Sequence, residues 1–358
     1  MRIVFLNLAS AHDFGGGEKW TMETAEGLAE RGHFVILAGR KGTSFASRSI
    51  SDKLIFKPVT AGIDYSPATI NSIMRLFRIN RPDVIVVHHN KDVRTGGIAA
   101  KMAGIPVVHR NGFPIIHDNW RHKLTYKFID RILTNSNQIK EKYLSFGWID
   151  ENRIDVIPNG ISEFNISVQR ESIRSKWDFK NDDLVAIFAG RLTRIKRVSD
   201  LIEAFRKLDK SSQWHLVILG KGEEYQTLLE MVINYGLEQR VKLIGYQEHA
   251  ARLLPAGDIV ILPSEEEGMP NVLLEAMVQG IPVGATPVGD VPYLVDYGKA
   301  GWLVKTGDIV GWVDLLLQLE QNPARLAEMA RTGQQHVRNN FTFEKMIDGV
   351  ETSLRKAV

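Results

Sequence analysis

The stretch DIVILPSEEEGMPNVLLEAMVQGIPVGAT, residues 258–286, decides the fold. DIVILPS is a short apolar run of the length of a buried strand. A loop of three acids and Gly268 follows it. Pro270 then suits the first turn of a helix, where its missing N–H is not needed. PNVLLEAMVQG reads as that helix and IPVGAT as the next strand. Strand, helix and strand in this order imply parallel pairing in a sheet covered on both faces.

The same rhythm extends outward. Before the stretch come LVAIFAG (184–190), VSDLIEAFRKL (198–208), WHLVILG (214–220), EEYQTLLEMVINYG (223–236) and VKLIG (241–245); after it come AGWLV (300–304) and IVGWVDLLLQLEQN (309–322). A separate series opens the chain with RIVFLNL (2–8), a helix ending at Gly32, and HFVILAG (33–39). It continues through DVIVVHH (83–89), RTGGIAAKMAG (94–104), IPVVHR (105–110), NWRHKLTYKFI (119–129) and RILTNS (131–136). The expectation is an α/β protein of two Rossmann-like, doubly wound parallel-sheet domains of similar size. The N-terminal domain spans 1–164 and the C-terminal one 172–341. Residues 164–183, polar and without an apolar run, form the linker.

In such sheets ligands gather outside the carboxyl ends of the strands. Glu267 stands on a strand-end loop there, and Glu275 about one turn into the following helix, where a carboxylate can accept two hydrogen bonds from a vicinal diol such as ribose. Asn271 and Val272 would offer backbone N–H groups to an anion. In FAGRLTRIKRV (188–198), Gly190 ends a strand and places Arg191 and Lys196 on the turn beyond it. Two fixed cations at a pyrophosphate would stabilise it as a leaving group without a metal.

Gly15, Gly16 and Gly17 after the first strand allow close backbone approach but lack the order of a dinucleotide fingerprint. Gly220 and Gly222 lack a third glycine, which makes them a weak nicotinamide signal. His88, His89 and His109 end strands. No H-E-x-x-H string, Asp-x-Asp triplet, G-x-S-x-G or P-loop occurs, so neither a metal nor another cofactor is expected.

The chain has 358 residues, 44% of them hydrophobic, which suits two soluble domains better than one. Without cysteine there is no disulfide or thiolate site. The opening residues do not read as a secretory signal, and no window reaches the about 18 apolar residues of a membrane span; the expected location is cytoplasmic. Residues 1–164 carry 22 Lys and Arg against 16 Asp and Glu, whereas the remainder carries 23 against 26. That asymmetry is either ordinary surface variation or a sign that the N-terminal half faces something anionic. The mixture of Trp120, Leu124, Tyr126 and Phe128 with Arg121, Lys123 and Lys127 reads as a half-buried helix with a wet face or as a contact with an anionic membrane surface on its inner side. No nucleic-acid partner is expected.

Several strings together resemble the retaining glycosyltransferases of family four, which have the GT-B fold: GGGE, LAERGHFV, ILTNSNQIKEKYLSFG, IDVIPNGI, AGRLTRIKRVSDLIEAF, LVILGKGEE, VKLIGY and the stretch quoted first. The resemblance implies transfer of a sugar, with retention and without a metal, from a UDP- or GDP-linked donor to a hydroxyl of a glycan or lipid-linked acceptor. Surface polysaccharide or lipopolysaccharide assembly is the setting it implies. Arg191 and Lys196 would meet the donor diphosphate, Glu275 the ribose, and Glu267 the transferred sugar. The segment Gly268, Met269, Pro270, Asn271 and Val272 would hold sugar hydroxyls and the distal phosphate. Gly16, with Gly17, would close over the diphosphate, and Gly245 and Tyr246 would border the base. Glu18 and Asn111 would lie on the acceptor side. The family's cleft histidine corresponds to His109 or, in a shifted register, to Asn111. The final helix, 342–358, would return to the N-terminal domain. Rival readings are a nucleotide-sugar epimerase or phosphorylase on the same fold, a nicotinamide-dependent oxidoreductase, and a catalytically silent binding subunit.

Overall fold

The computed structural model describes residues 1–9, 15–48, 54–113, 116, 118–163, 170–180 and 182–358. They form two compact units, Met1–Pro158 with Phe343–Val358, and Asn159–Thr342. In the first unit the elements are β1 (Arg2–Asn7), α1 (Gly16–Glu30), β2 (Phe34–Gly39), α2 (Ser44–Arg48), β3 (Ile55–Pro58), α3 (Pro67–Asn80), β4 (Val84–Val87), α4 (Asn90–Ala103), β5 (Val107–Asn111), α5 (Trp120–Thr125), β6 (Arg131–Thr134), α6 (Asn137–Leu144) and β7 (Ile154–Val156). The strand order is β3-β2-β1-β4-β5-β6-β7, parallel throughout.

Both faces of that sheet are apolar because successive side chains point to opposite sides. Val4, Leu6, Ile85 and Val87 enter one core. Ile3, Phe5, Val84 and Val86 enter the other, where the C-terminal helix adds Met346, Ile347, Val350 and Leu354. Helix starts are set by side-chain caps: the Ser66 hydroxyl accepts from the Thr69 amide, and Asn119 Oδ1 accepts from the His122 amide at 3.0 Å.

The second unit contains α7 (Arg170–Lys176), β8 (Leu184–Ala189), α8 (Val198–Lys207), β9 (Trp214–Leu219), α9 (Tyr225–Asn234), β10 (Val241–Gly245), β11 (Ile259–Leu262), α10 (Asn271–Val278), β12 (Val283–Ala285), α11 (Val291–Leu294), β13 (Trp302–Leu303), α12 (Ile309–Gln321) and α13 (Ala324–Asn340). Its strand order is β10-β9-β8-β11-β12-β13, again parallel. Order reverses between β8 and β11, whose Ala186 and Ile187 pair with Ile259 and Val260. In sheets of this kind the carboxyl ends of the strands at such a reversal are where ligands gather.

The far end of the same sheet is fixed by Asp258. Its carboxylate accepts from the Val185 amide at 2.7 Å, from Arg170 at 2.5 Å and from the buried Arg174 at 2.6 Å. These bonds tie α7 to the start of β8 and β11.

The boundary between the units differs from the linker expected at 164–183. Residues 164–169 and 181 lie outside the described residues, but the chain already belongs to the second unit at Asn159. Ile157 still donates to Thr134 at 2.7 Å, which extends the first sheet. Ile161 donates instead to Phe341 at 2.9 Å. Polarity marked the segment, whereas backbone pairing sets where the chain passes over. The sequence expectation also omitted β3 and α3. β3 is a four-residue edge strand with exposed side chains, ending in Pro58, a residue tolerated only at such edges.

Candidate donor site

The reversal point brings the loops after β8 and β11 together. Beyond β8, Gly190, Arg191 and Leu192 form a turn supported from below by the Gly220–Gly222 segment. A Cβ on Gly220 would lie 2.0 Å from the Gly190 carbonyl oxygen, and one on Gly222 would lie 2.1 Å from that of Leu192. The Leu192 amide donates to Lys221 at 2.9 Å, and its carbonyl accepts from Glu224 at 3.0 Å. The two glycines therefore brace the cation-bearing turn, which accounts for them without a nicotinamide. The Gly220 amide also donates to Gly245 at 2.9 Å, and Lys221 Nζ sits 5.0 Å over the ring of exposed Tyr246. Gly245 and Tyr246 thus border the same edge.

From this turn Arg194–Lys196 makes a short 3-10 helix, and Arg197 takes a left-handed conformation with φ of 49° before α8 starts. A side chain at positive φ is strained. Arg197 is held there by Asp200, whose carboxylate accepts from its Nε at 2.8 Å. The Glu265 amide then donates to the Ile195 carbonyl at 2.8 Å and joins the two loops.

At this junction Lys196 Nζ lies 2.5 Å from Glu267 Oε1. The Ser264 hydroxyl donates to the same oxygen at 2.7 Å, and the Thr286 hydroxyl donates to the Ser264 carbonyl. Glu267 is only 7% exposed, so its charge is compensated by one ammonium and one hydroxyl rather than by water. Gly289 packs beneath: a Cβ there would lie 2.2 Å from the Glu267 carbonyl oxygen, and its φ of 56° also favours glycine. The Asp290 amide donates to the Gly268 carbonyl at 2.9 Å. Met269 and Pro270 are buried, and Asn271 and Val272 open α10. Glu275 is half-buried on that helix, and Arg191 is exposed at the end of β8.

Glu267 and Lys196 are therefore in contact, and the Gly190, Gly245 and Asn271 segments surround the same strand ends. Sequence reading overlooked Ser264, Thr286, Gly289 and Asn159. The serine sat in view in the PSEEEG string; the other three are remote in sequence and become visible only once the loops are folded.

Gly16, Gly17, Glu18, His109 and Asn111 belong to the first unit. Glu18 Oε2 accepts from the Gly15 amide at 3.0 Å, and its Oε1 lies 3.2 Å from His89 Nε2. That pairing and the local amides hold the Glu18 carboxyl below its ordinary value despite burial, which opposes them. A Cβ on Gly17 would lie 2.1 Å from His88 Nε2, so the glycine makes room for the histidine. Asp92 is fully buried and accepts from the Leu8 amide at 2.8 Å and from His89 N. Burial raises it to about 6.

His109 is 3% exposed. Its Nε2 lies 3.3 Å from the His88 carbonyl, an acceptor, so the proton is on Nε2 and Nδ1 is left as a buried acceptor with no partner among the described residues. Desolvation, aided by His89, Arg110 and His122, lowers it to about 4. Asn111 Nδ2 donates to Tyr143 at 2.6 Å and its Oδ1 accepts from the Phe113 amide at 3.0 Å. Both ends of that carboxamide are engaged inside the unit. Among the described residues no three His, Asp or Glu side chains are grouped to hold a metal ion.

Two family models match the chain: Glycosyltransferase Family 4 over residues 14–163 and Glycosyl transferases group 1 over residues 169–336. The chain belongs to the family-4-type glycosyltransferases. This family member is 27% identical over 301 residues to the Escherichia coli UDP-Gal:alpha-D-GlcNAc-diphosphoundecaprenol alpha-1,3-galactosyltransferase, covering 78% of this chain and 77% of that one. It is 26% identical over 349 residues to the lipopolysaccharide core biosynthesis glycosyltransferase LpsE of Rhizobium meliloti, covering 93% and 94%. A third relative, the N-acetyl-alpha-D-glucosaminyl L-malate synthase of Bacillus anthracis, is 32% identical, but the match spans 50% of this chain and 47% of that enzyme. In structure the glycosyltransferase resembles Anabaena HepE, solved in complex with UDP-glucose, with a TM-score of 0.85, 20% identity and coverage of 99% and 100%. That likeness establishes the GT-B fold.

The buried neutral state of His109 has a pH signature. The unfolded chain binds a proton near 6.5 and the folded one only near 4, so the stability His109 contributes is intact above 6.5 and declines as pH falls toward 4. Asp92, raised to about 6, acts in the opposite sense over the same range and hides the effect in the wild type alone. Urea unfolding of wild type and His109→Gln isolates it, since Asp92 is common to both. The wild type should lose about 2 kcal/mol relative to the variant between pH 7 and pH 5. A difference independent of pH would contradict a buried, neutral His109.

Proposed function

We propose that the chain transfers a sugar, with retention and without a metal, from a UDP- or GDP-linked donor to a hydroxyl of a glycan or lipid-linked acceptor, in surface polysaccharide or lipopolysaccharide assembly at the inner face of the cell membrane. The observation that carries this reading is the contact of Lys196 with Glu267 at the reversal point of the second sheet. The bond from the anomeric carbon to the diphosphate breaks with its electron pair leaving on the phosphate oxygen. Lys196 and Arg191 neutralise that oxygen's growing charge, and the N–H groups opening α10 add to them. Glu267 meets the sugar, where the anomeric carbon becomes electron-poor. Glu275 accepts from the ribose hydroxyls. The acceptor oxygen forms the new bond on the face the diphosphate leaves, and its proton passes to the departing phosphate.

Relatives support the setting. One is named for UDP-galactose and a diphosphoundecaprenol acceptor, another for lipopolysaccharide core biosynthesis. Gly16 and Gly17 would approach the diphosphate, and Glu18 the acceptor. His109, desolvated and neutral, would support the end of the first sheet from within.

Assays with a panel of UDP- and GDP-sugars test the reading. Arg191→Ala and Glu275→Ala should each reduce donor use (kcat/KM) by about 2–4 kcal/mol, and EDTA should leave wild-type turnover intact. Unimpaired variants would contradict the assigned contacts, and strict dependence on added Mn²⁺ would contradict the metal-free scheme. Conversion of the nucleotide sugar without an acceptor would indicate an epimerase.

No helix among the described residues is long and apolar enough to cross a membrane. Trp120 is 71% exposed and Leu124 is also exposed, beside Lys123. Wild type should sediment with vesicles containing phosphatidylglycerol and release with salt. Trp120→Ala with Leu124→Ala should abolish this, and sedimentation unchanged by the pair would rule out that surface.

A further inference from the structure

Asn159 is the first residue of the second unit and is 4% exposed. Its side-chain amide donates to the Met269 carbonyl at 3.0 Å and to Asn271 Oδ1 at 2.8 Å. A backbone carbonyl can only accept, so the group that Asn159 presents there is its NH2. It follows that Asn271 must turn its oxygen toward Asn159 and its own NH2 away. That NH2 has no partner among the described residues and is not enclosed.

Asn271 is the first residue of α10. The backbone N–H groups of the first helical turn have no intrahelical acceptor. With its carboxamide fixed this way, Asn271 adds two side-chain N–H donors to that turn. In the opposite orientation it would add a carbonyl oxygen, which repels an anion. The choice between the two is made by a buried residue more than a hundred positions away in sequence.

We propose that Asn159 is a positioning residue that sets the polarity of the α10 mouth, holding the Asn271 NH2 toward the distal phosphate of a nucleoside diphosphate. This rests on the donor reading above. An aspartate at 159 can only accept, so Asn271 would reverse to donate to it and present its oxygen to the phosphate. An aspartate at 271 would keep its bond from Asn159 and present a carboxylate outward, reaching the same polarity without disturbing the buried position.

Calorimetric titration of the full chain with UDP and with GDP tests this, with thermal melts alongside. Asn159→Asp and Asn271→Asp should each weaken binding of the preferred nucleotide by about tenfold or more, and Asn271→Ala by less. In an Asn271→Ala background, Asn159→Asp should have no further effect on affinity, because the group it reverses is gone. If Asn159 served only to stabilise the loop, its substitution would weaken binding equally in both backgrounds, and that result would overturn the proposal. Where Asn159→Asp does not fold, Asn271→Asp decides: affinity no weaker than that of Asn271→Ala would also overturn it. A wild type that binds neither nucleotide would instead defeat the donor reading itself.

Discussion

The ion pair between Lys196 and Glu267 is the constraint around which the second unit's strand ends are arranged. Desolvating two opposite charges is expensive, and a pair of this kind is tolerated when its geometry is good and its remaining lone pairs are satisfied. Ser264 supplies the second bond to Glu267 Oε1, Thr286 holds Ser264, and Gly289 allows the loop to lie close. The backbone bond from Glu265 to Ile195 keeps the two loops in register. Little of this arrangement serves stability in an obvious way, since an apolar pair of the same volume would fold at least as well. Its chemical consequence is a lysine held beside a carboxylate until a stronger anion competes for it.

A diphosphate is such an anion. On the proposed donor reading, a diphosphate that took Lys196 would leave Glu267 without its main compensating charge and make it a better partner for a positively polarised carbon. The ion pair would thereby couple occupancy of the proposed phosphate position to the state of the carboxylate. The glycine bracket at Gly220 and Gly222, the left-handed Arg197 and the carboxamide of Asn159 each fix one side of this small region. Three loops from distant parts of the chain thus meet at one place, and groups positioned in advance suit electrostatic stabilisation of developing charge.

Much of this was legible in the chain itself. Strands such as LVAIFAG and DIVILPS read as buried because both faces of a parallel sheet are covered. Glu267 and Lys196 could be singled out because strand ends collect ligands in such sheets. What lay hidden was whatever depends on long-range packing. Gly289 and Thr286 bear on Glu267 only after β12 lies beside β11. Gly220 and Gly222 resembled a fragment of a cofactor motif, and only the neighbouring turn shows that they support another loop. His109 and Asn111 could not be separated by spacing. In the fold one is a desolvated neutral ring and the other a carboxamide with both ends engaged. The edge strand β3 escaped notice because four residues with exposed side chains carry no apolar pattern.

The central claim is that Lys196 exchanges its carboxylate partner for a phosphate. A crystal structure of the protein grown with UDP or GDP in the presence of EDTA addresses it directly. The account predicts a diphosphate at the mouth of α10 with Lys196 Nζ within hydrogen-bond distance of a phosphate oxygen and displaced from Glu267. A nucleotide bound elsewhere, with the Lys196–Glu267 contact intact, would contradict it.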